Sequence, residues 1–340
     1  MLDELITTYM KEHHIPGLAL AVVQEELICE MKGYGLANLE HDVLVTPDTV
    51  FELGSITKPF TAIAILHLVE QEKLSLDDKI SSYLQDLPTS WSDITFRHLL
   101  THTSGIPDYF AVIETSQSLL WQPHFTRNKI IEIVAELPLK FKPGELAEYS
   151  NTGFVLLGIL IEQLVHQSYA DFLKETLFEP LGMTAIRINN DAVIIVNRAQ
   201  GYQLEVNQEP PLWSNRGYLY PTLWDNADGG LISSVTDLVK WRIALFNGNL
   251  LTQSSLTQMW TPTPMNSGKR IDYGLGWSVW TVKALNGCKC VGHEGRRPGF
   301  SASFMHFVDK DLTIIILCNC GKIYDVNLEN LSLEIAGSSD

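Results

Sequence analysis

Ser55-Ile56-Thr57-Lys58 sets a hydroxyl and a primary amine three positions apart. At the start of a helix that spacing puts both on one face, within reach of each other. A serine hydroxyl is inert until a base takes its proton, and a lysine does so when burial or neighbouring cations keep it neutral near pH 7. The helix N-terminus favours the negative charge that then develops. Tyr149-Ser150-Asn151 adds a phenol that would relay protons beside Lys58 if a cation lowered its pKa, and an amide able to donate to a substrate carbonyl. The competing reading is that Asn151 caps a helix and Tyr149 packs in the core. His293-Glu294-Gly295 closes an apolar, alternating run, where a glycine would let an extended acyl group approach the backbone along a strand edge. A surface histidine at a strand end is the alternative there.

These residues need elements to hold them. Ile56, Phe60, Ile63 and Leu66 form a helical stripe that begins just after Ser55. Lys142-Pro143-Gly144 marks a turn before Tyr149, and the apolar pattern of Asn151 to Val165 predicts a helix. Strand patterns appear at Leu18 to Val23 and Leu27 to Lys32, and again at Gly276 to Val282, Cys288 to Gly292, Ser301 to Val308 and Leu312 to Cys318. Asn286-Gly287 and Asp309-Lys310-Asp311 are turn signals between the later runs, so successive strands should pair antiparallel. Helical segments are expected at Leu2 to His13, Tyr169 to Leu177, Thr236 to Phe246 and Val326 to Ala336. The expectation is an α+β fold, an antiparallel sheet flanked by helices. Its sheet lobe comes from about 1–60 and 270–340, with a mostly helical inserted lobe over about 61–269, all within one domain of 1–340. Neither an internal repeat nor a low-complexity segment interrupts it, which disfavours a filament-forming or structural role.

Composition narrows the function classes. With 45% hydrophobic residues in 340, the chain can bury a large core. Twenty-four basic against 40 acidic residues give a formal charge of -16, which repels nucleic acid and anionic membrane surfaces. The acidic residues are scattered, as in Glu25-Glu26 and Asp77-Asp78, and read as a solvated surface. The five cysteines, Cys29, Cys288, Cys290, Cys318 and Cys320, are odd in number. Two Cys-x-Cys pairs at strand period read as reduced, core-facing thiols, their spacing too short for usual zinc ligation. No metal is expected. The first residues lack the basic start, apolar run and cleavage site of a leader, and the longest apolar run, Phe154 to Ile161, is too short to span a bilayer. A cytoplasmic chain is expected on this ground, or a periplasmic or secreted one if a leader had been removed. The partner expected is a small-molecule or peptide substrate, with the oligomeric state left open.

The three patterns, in the order Ser-x-x-Lys, Tyr-x-Asn, His-x-Gly, resemble the serine β-lactamase and penicillin-binding-protein superfamily, and Tyr-x-Asn is similar to its class C β-lactamase and D-aminopeptidase/carboxypeptidase branch. The loop Leu99 to Ile106, Pro180-Leu181-Gly182-Met183, Gly229-Gly230-Leu231 and Tyr273 to Trp277 extend the resemblance over nearly the whole chain. The resemblance implies that Ser55 attacks a carbonyl while Lys58 and Tyr149 manage the proton. It implies that Asn151, His293 and Gly295 border the substrate, and that the backbone N–H groups of Ser55 and Arg296 form an oxyanion hole, each donor worth about 3 kcal/mol of barrier. Water then releases the acyl group, without metal or organic cofactor. The substrate would be an amide, peptide, ester or β-lactam; a catalytically silent protein binding peptides or cell-wall fragments is the alternative. Where the class C enzymes carry Lys-Thr-Gly this chain has His293-Glu294-Gly295, which favours peptidase or esterase chemistry over efficient β-lactam hydrolysis. Arg296 and Arg297 would either meet a substrate carboxylate or form a solvated surface pair. Tyr109, Trp213, Tyr218 and Trp224 are candidate cleft-lining aromatics, with core packing as the alternative.

Overall fold

A computed structural model describes residues 2–115, 126–190, 192–205, 212–215, 227–321 and 326–338. Seven strands form its main sheet: β1 (Gly17–Gln24), β2 (Leu27–Asn38), β3 (Val43–Leu44), β4 (Ser278–Val282), β5 (Cys288–Arg297), β6 (Phe300–Phe307) and β7 (Leu312–Cys318). The spatial order is β4-β5-β6-β7-β1-β2-β3, antiparallel throughout. The early and late strands meet where β1 pairs with β7, from Leu18 opposite Cys318 to Gln24 opposite Leu312.

The period of two explains the layering. Along β1, Leu18, Leu20 and Val22 face one side and Ala19, Ala21 and Val23 the other, and all six are buried. The first side is covered by α1 (Leu2–Glu12) and by the final helix, through Ile6, Tyr9, Met10, Leu331 and Ile335. Cys288, Cys290, Cys318 and Cys320 lie in this same apolar layer as free, buried thiols, while Cys29 is exposed. The second side meets α4 (Val235–Phe246), with α2 (Thr57–Glu70) in the same core layer and α3 (Asn151–Val165) packed on α2. Trp241 of α4 stacks on Phe60 of α2 at 4.0 Å and meets the Phe304 ring of β6 at 5.0 Å.

Helix α2 is buried on every side from Thr57 to Leu66, the mark of a central core helix. Pro59 falls in its first turn, where no backbone N–H is required. The final helix, α5, runs Leu328–Gly337. The turn signals are used as expected: Asn286 and Gly287 have φ of 55° and 80°, and Asp311 a φ of 44°. The middle of the chain is less purely helical than its pattern suggests. Phe51–Glu52, Leu231–Ser233 and Arg187–Ile188 make a small three-stranded sheet, and Tyr202–Glu205 pairs with Leu212–Asn215. No helix among the described residues is long and apolar enough to cross a membrane.

Because Trp241 ties α2 and α4 to the sheet with its ring fully buried, Trp241→Ala should lower stability by about 4 kcal/mol. Urea unfolding followed by circular dichroism measures it; a loss under about 1 kcal/mol would contradict this packing.

Candidate active site

Ser55 sits in a 3-10 turn, Gly54–Ile56, that leads directly into α2. The turn is pressed against β5. A Cβ on Gly295 would run into the Leu53 carbonyl oxygen, and a Cβ on Gly54, whose φ is +52°, would stand 2.6 Å from the Arg296 backbone nitrogen. The close approach at Gly295 is therefore made by the protein's own Ser55 turn, where the sequence position suggested the substrate. This contact brings the Ser55 N–H, at a helix start where backbone donors lack intrahelical partners, beside the Arg296 backbone.

His293, Glu294 and Gly295 do not end the strand: β5 pairs with β6 as far as Arg297 opposite Phe300. Its pairing with β4 stops earlier, at Gly292 opposite Ser278. From His293 onward one edge of β5 thus has no partner strand among the described residues, and it borders a cleft of about 610 Å³. Ser55, Tyr149, Tyr273, Trp280, His293 and Arg296 line that cleft, together with the carboxylates of Asp272, Glu294 and Glu329.

Lys58 projects from the first turn of α2 and is fully buried. Its Nζ lies 3.0 Å from Ser55 Oγ, 2.7 Å from Asn151 Oδ1 and 2.7 Å from the Asp228 carbonyl oxygen. Burial pulls its pKa down to about 7, against the attraction of Asp228 and Asp108. The Nζ also stands 4.8 Å from the Tyr149 ring centre and 5.4 Å from that of Phe154. Asn151 opens α3, and its amide is already engaged. Nδ2 donates to Asp108 Oδ2 at 3.0 Å, which turns Oδ1 toward Lys58. The backbone N–H of Asn151 donates to the other Asp108 oxygen at 3.2 Å. Asn151 is thus neither the helix cap, which is Ser150, nor chiefly a donor to substrate; it orients the amine.

The Tyr149 phenol is pushed up by lost solvation, which outweighs the pull of the nearby Ser55 hydroxyl, although the side chain as a whole is 42% exposed. The lowered pKa that its sequence role invited is absent. His293 is buried and its pKa falls to about 3 through desolvation and the nearby Lys58. Its Nδ1 lies 2.6 Å from the Glu294 carbonyl, which only accepts, so Nδ1 carries the hydrogen and Nε2 accepts from the Tyr273 hydroxyl at 3.0 Å. His293 is accordingly neutral and fixed, not a surface histidine.

The two arginines part company. Arg296 is exposed and reaches Glu294 at 3.5 Å, whereas Arg297 is buried and donates to the Gly229 carbonyl at 3.0 Å. Arg297 is therefore neither a substrate ligand nor half of a solvated pair; it holds the turn that presents the Asp228 carbonyl to Lys58. Tyr109 is buried and donates its hydroxyl to Asp228 Oδ2 at 2.9 Å, and Trp213 packs near Tyr202, so neither lines the cleft. Tyr218 and Trp224 lie outside the described residues. Asp108, Asp228, Tyr273 and His102 were not singled out from sequence. Two of them, His102 and Tyr273, fall inside segments that carried the family resemblance. No group of three or more His, Cys, Asp or Glu able to hold a metal is present among the described residues.

Residues 2–332 match the Beta-lactamase family. The chain belongs to that family, within the serine β-lactamase and penicillin-binding-protein superfamily. It is 31% identical to Penicillin-binding protein 4* of Bacillus subtilis over 98% of this chain and 74% of that protein. It is 28% identical to Protein flp of Staphylococcus aureus, covering 66% of it. Among solved structures it resembles the D-amino acid amidase of Ochrobactrum anthropi, with a TM-score of 0.84 at 25% identity over 100% of this chain and 99% of that one. It also resembles an octameric penicillin-binding protein homologue from Pyrococcus abyssi, with a TM-score of 0.81 at 30% identity over 98% and 77%. Family and neighbours together support a hydrolase-type function.

Gly295→Ala should drive the Ser55 turn off β5. The expected result is a stability loss of about 2 kcal/mol or more in thermal unfolding, with hydrolytic activity falling further than stability alone explains. An unaltered melting temperature and activity would refute the interlock.

Proposed function

We propose that the chain is a serine hydrolase acting through an acyl-Ser55 intermediate on an amide, peptide or short ester. The supporting observation is the set of neighbours around Lys58 Nζ. Two of them, Asn151 Oδ1 and the Asp228 carbonyl, can only accept and so take two N–H bonds. With its pKa near 7, the neutral amine then keeps one lone pair for the third neighbour, the Ser55 hydroxyl.

In this reading the Ser55 proton passes to Lys58 as Oγ bonds the substrate carbonyl carbon. The N–H groups of Ser55 and Arg296 receive the developing oxyanion. The Tyr149 phenol, beside Ser55 in the same cleft, takes up that proton from Lys58 and gives its own to the leaving amine or alkoxide as the carbonyl–leaving-group bond breaks. Water then adds to the acyl carbon and gives its proton to the same pair, which returns it to Oγ as the Ser55 ester bond opens.

The cleft lining argues about substrate charge. Class C relatives of the superfamily place a lysine where His293 stands, and here that position is buried and neutral. Asp272, Glu294 and Glu329 face the cleft, with Arg296 set against Glu294. Glu329 has its carboxyl pKa raised by burial and by the Glu294 charge. A carboxylate-bearing β-lactam meets repulsion in such a wall, and an uncharged or amine-bearing acyl donor does not. The resemblance to a D-amino acid amidase is consistent with the same preference.

Mass spectrometry after incubation with a fluorophosphonate or a penicillin should place the label on Ser55, and Ser55→Ala should abolish turnover of a p-nitrophenyl ester. Absence of label from both reagents in folded protein would sink the reading. The ester and a D-amino acid amide should be turned over with higher kcat/KM than a penicillin. Since the neutral amine is the base, kcat/KM should rise with pH through about 7, falling about tenfold per unit below it. A profile flat from pH 5 to 9 would exclude Lys58 as that base.

A further inference from the structure

The loop Thr101 to Gly105 packs against the segment that carries Tyr149. Within it His102 has a φ of +58°, the left-handed region in which glycine is at home. Its side chain is 5% exposed. Nδ1 accepts the Ser150 backbone N–H at 3.1 Å, so the neutral ring carries its hydrogen on Nε2. That Nε2 finds no hydrogen-bond partner among the described residues. Burial and the charge of Lys58 hold the imidazole pKa well below the ordinary value, so the ring stays neutral. An imidazole thus occupies a left-handed position and leaves a buried N–H unpaired, where glycine would avoid both penalties.

What the ring touches explains its presence. Its centre lies 4.2 Å from that of Tyr149, 4.7 Å from Tyr273 and 5.3 Å from Phe154. The backbone adds a second hold, since the His102 carbonyl accepts the Glu148 N–H at 3.0 Å. His102 therefore grips the residues on both sides of Tyr149 and backs its ring, while Tyr273 on its other flank hydrogen-bonds His293. Tyr149 is itself 42% exposed to the cleft, so without this backing its ring has open space in which to turn.

We propose that His102 is the positioning residue for Tyr149, fixing the phenol against Ser55 and its ring over Lys58 without touching substrate. The inference rests on the acyl-Ser55 reading, with Tyr149 as proton carrier. His102 bridges two elements distant in sequence, and its imidazole sets the angle at which the phenol meets the nucleophile.

Two variants separate its parts. His102→Gly keeps the left-handed backbone and removes the ring. His102→Asn tolerates the same backbone and offers an oxygen to the Ser150 N–H, but lacks the ring. With wild-type turnover and Ser55 labelling established first, His102→Gly should lower kcat for a p-nitrophenyl ester about a hundredfold, the order an ångström of misplacement causes. KM should stay within about threefold, and His102→Asn should fall between the two. In a Tyr149→Phe background the same His102→Gly change should matter less than about threefold, because the group it acts through is gone. If His102→Gly does not fold, His102→Asn alone carries the comparison in both backgrounds. Retention of kcat within twofold by the folded variants, or equal losses with and without the Tyr149 hydroxyl, overturns the proposal. Failure of the wild type to label at Ser55 overturns the acyl-enzyme reading instead.

Discussion

The site depends on one close backbone approach. The turn that carries Ser55 and β5 meet at Gly54 and Gly295, nearer than any side chain would permit. Attractive contacts can be weakened gradually, but a steric limit of this kind either holds or fails. It joins a residue near the start of the chain to one near its end, and everything chemical follows from that register. Ser55 comes to face Lys58, the Arg296 backbone comes to face Ser55, and the free strand edge becomes a wall of the cleft.

Around that junction the protein has buried an amine, which elsewhere would be a large liability. A fully desolvated ammonium is disfavoured by several kcal/mol unless its protons find acceptors. Lys58 finds them in two neutral oxygens and a hydroxyl, not in an ion pair. A carboxylate in direct contact would have fixed the proton on nitrogen; neutral dipoles leave it poised. Asp108 and Asp228 serve at one remove, the first by orienting Asn151 and the second through its main-chain carbonyl.

The strands and helices were legible because their signals are local. The span of α3 matches its apolar pattern at both ends, and all four late strands are present where alternation put them, although β5 runs five residues past its expected end to Arg297. Ser55, Lys58 and Tyr149 were legible because spacing on one helix, and a family resemblance, sufficed to bring them together. What sequence could not supply was third-party contact. The glycine at 295 was noticed, but the neighbour it admits comes from 240 positions away. The Asp228 carbonyl is main chain and leaves no mark on residue type. Arg297 looked like its neighbour Arg296 until the alternation of β5 sent one side chain inward and the other out.

The pairing of β1 with β7 has a consequence for how the molecule comes into being. Strand β1 lies inside the sheet, and its partner β7, the middle strand of the seven, is made long after it. During synthesis β1, apolar on both faces, must wait for some three hundred residues before its edge can close, a long-range pairing of the slow kind. Through that interval Ser55 exists without its cleft. The Ser55 turn is thus made long before the strand edge it packs against, and the site is assembled only once β5 and β7 have followed.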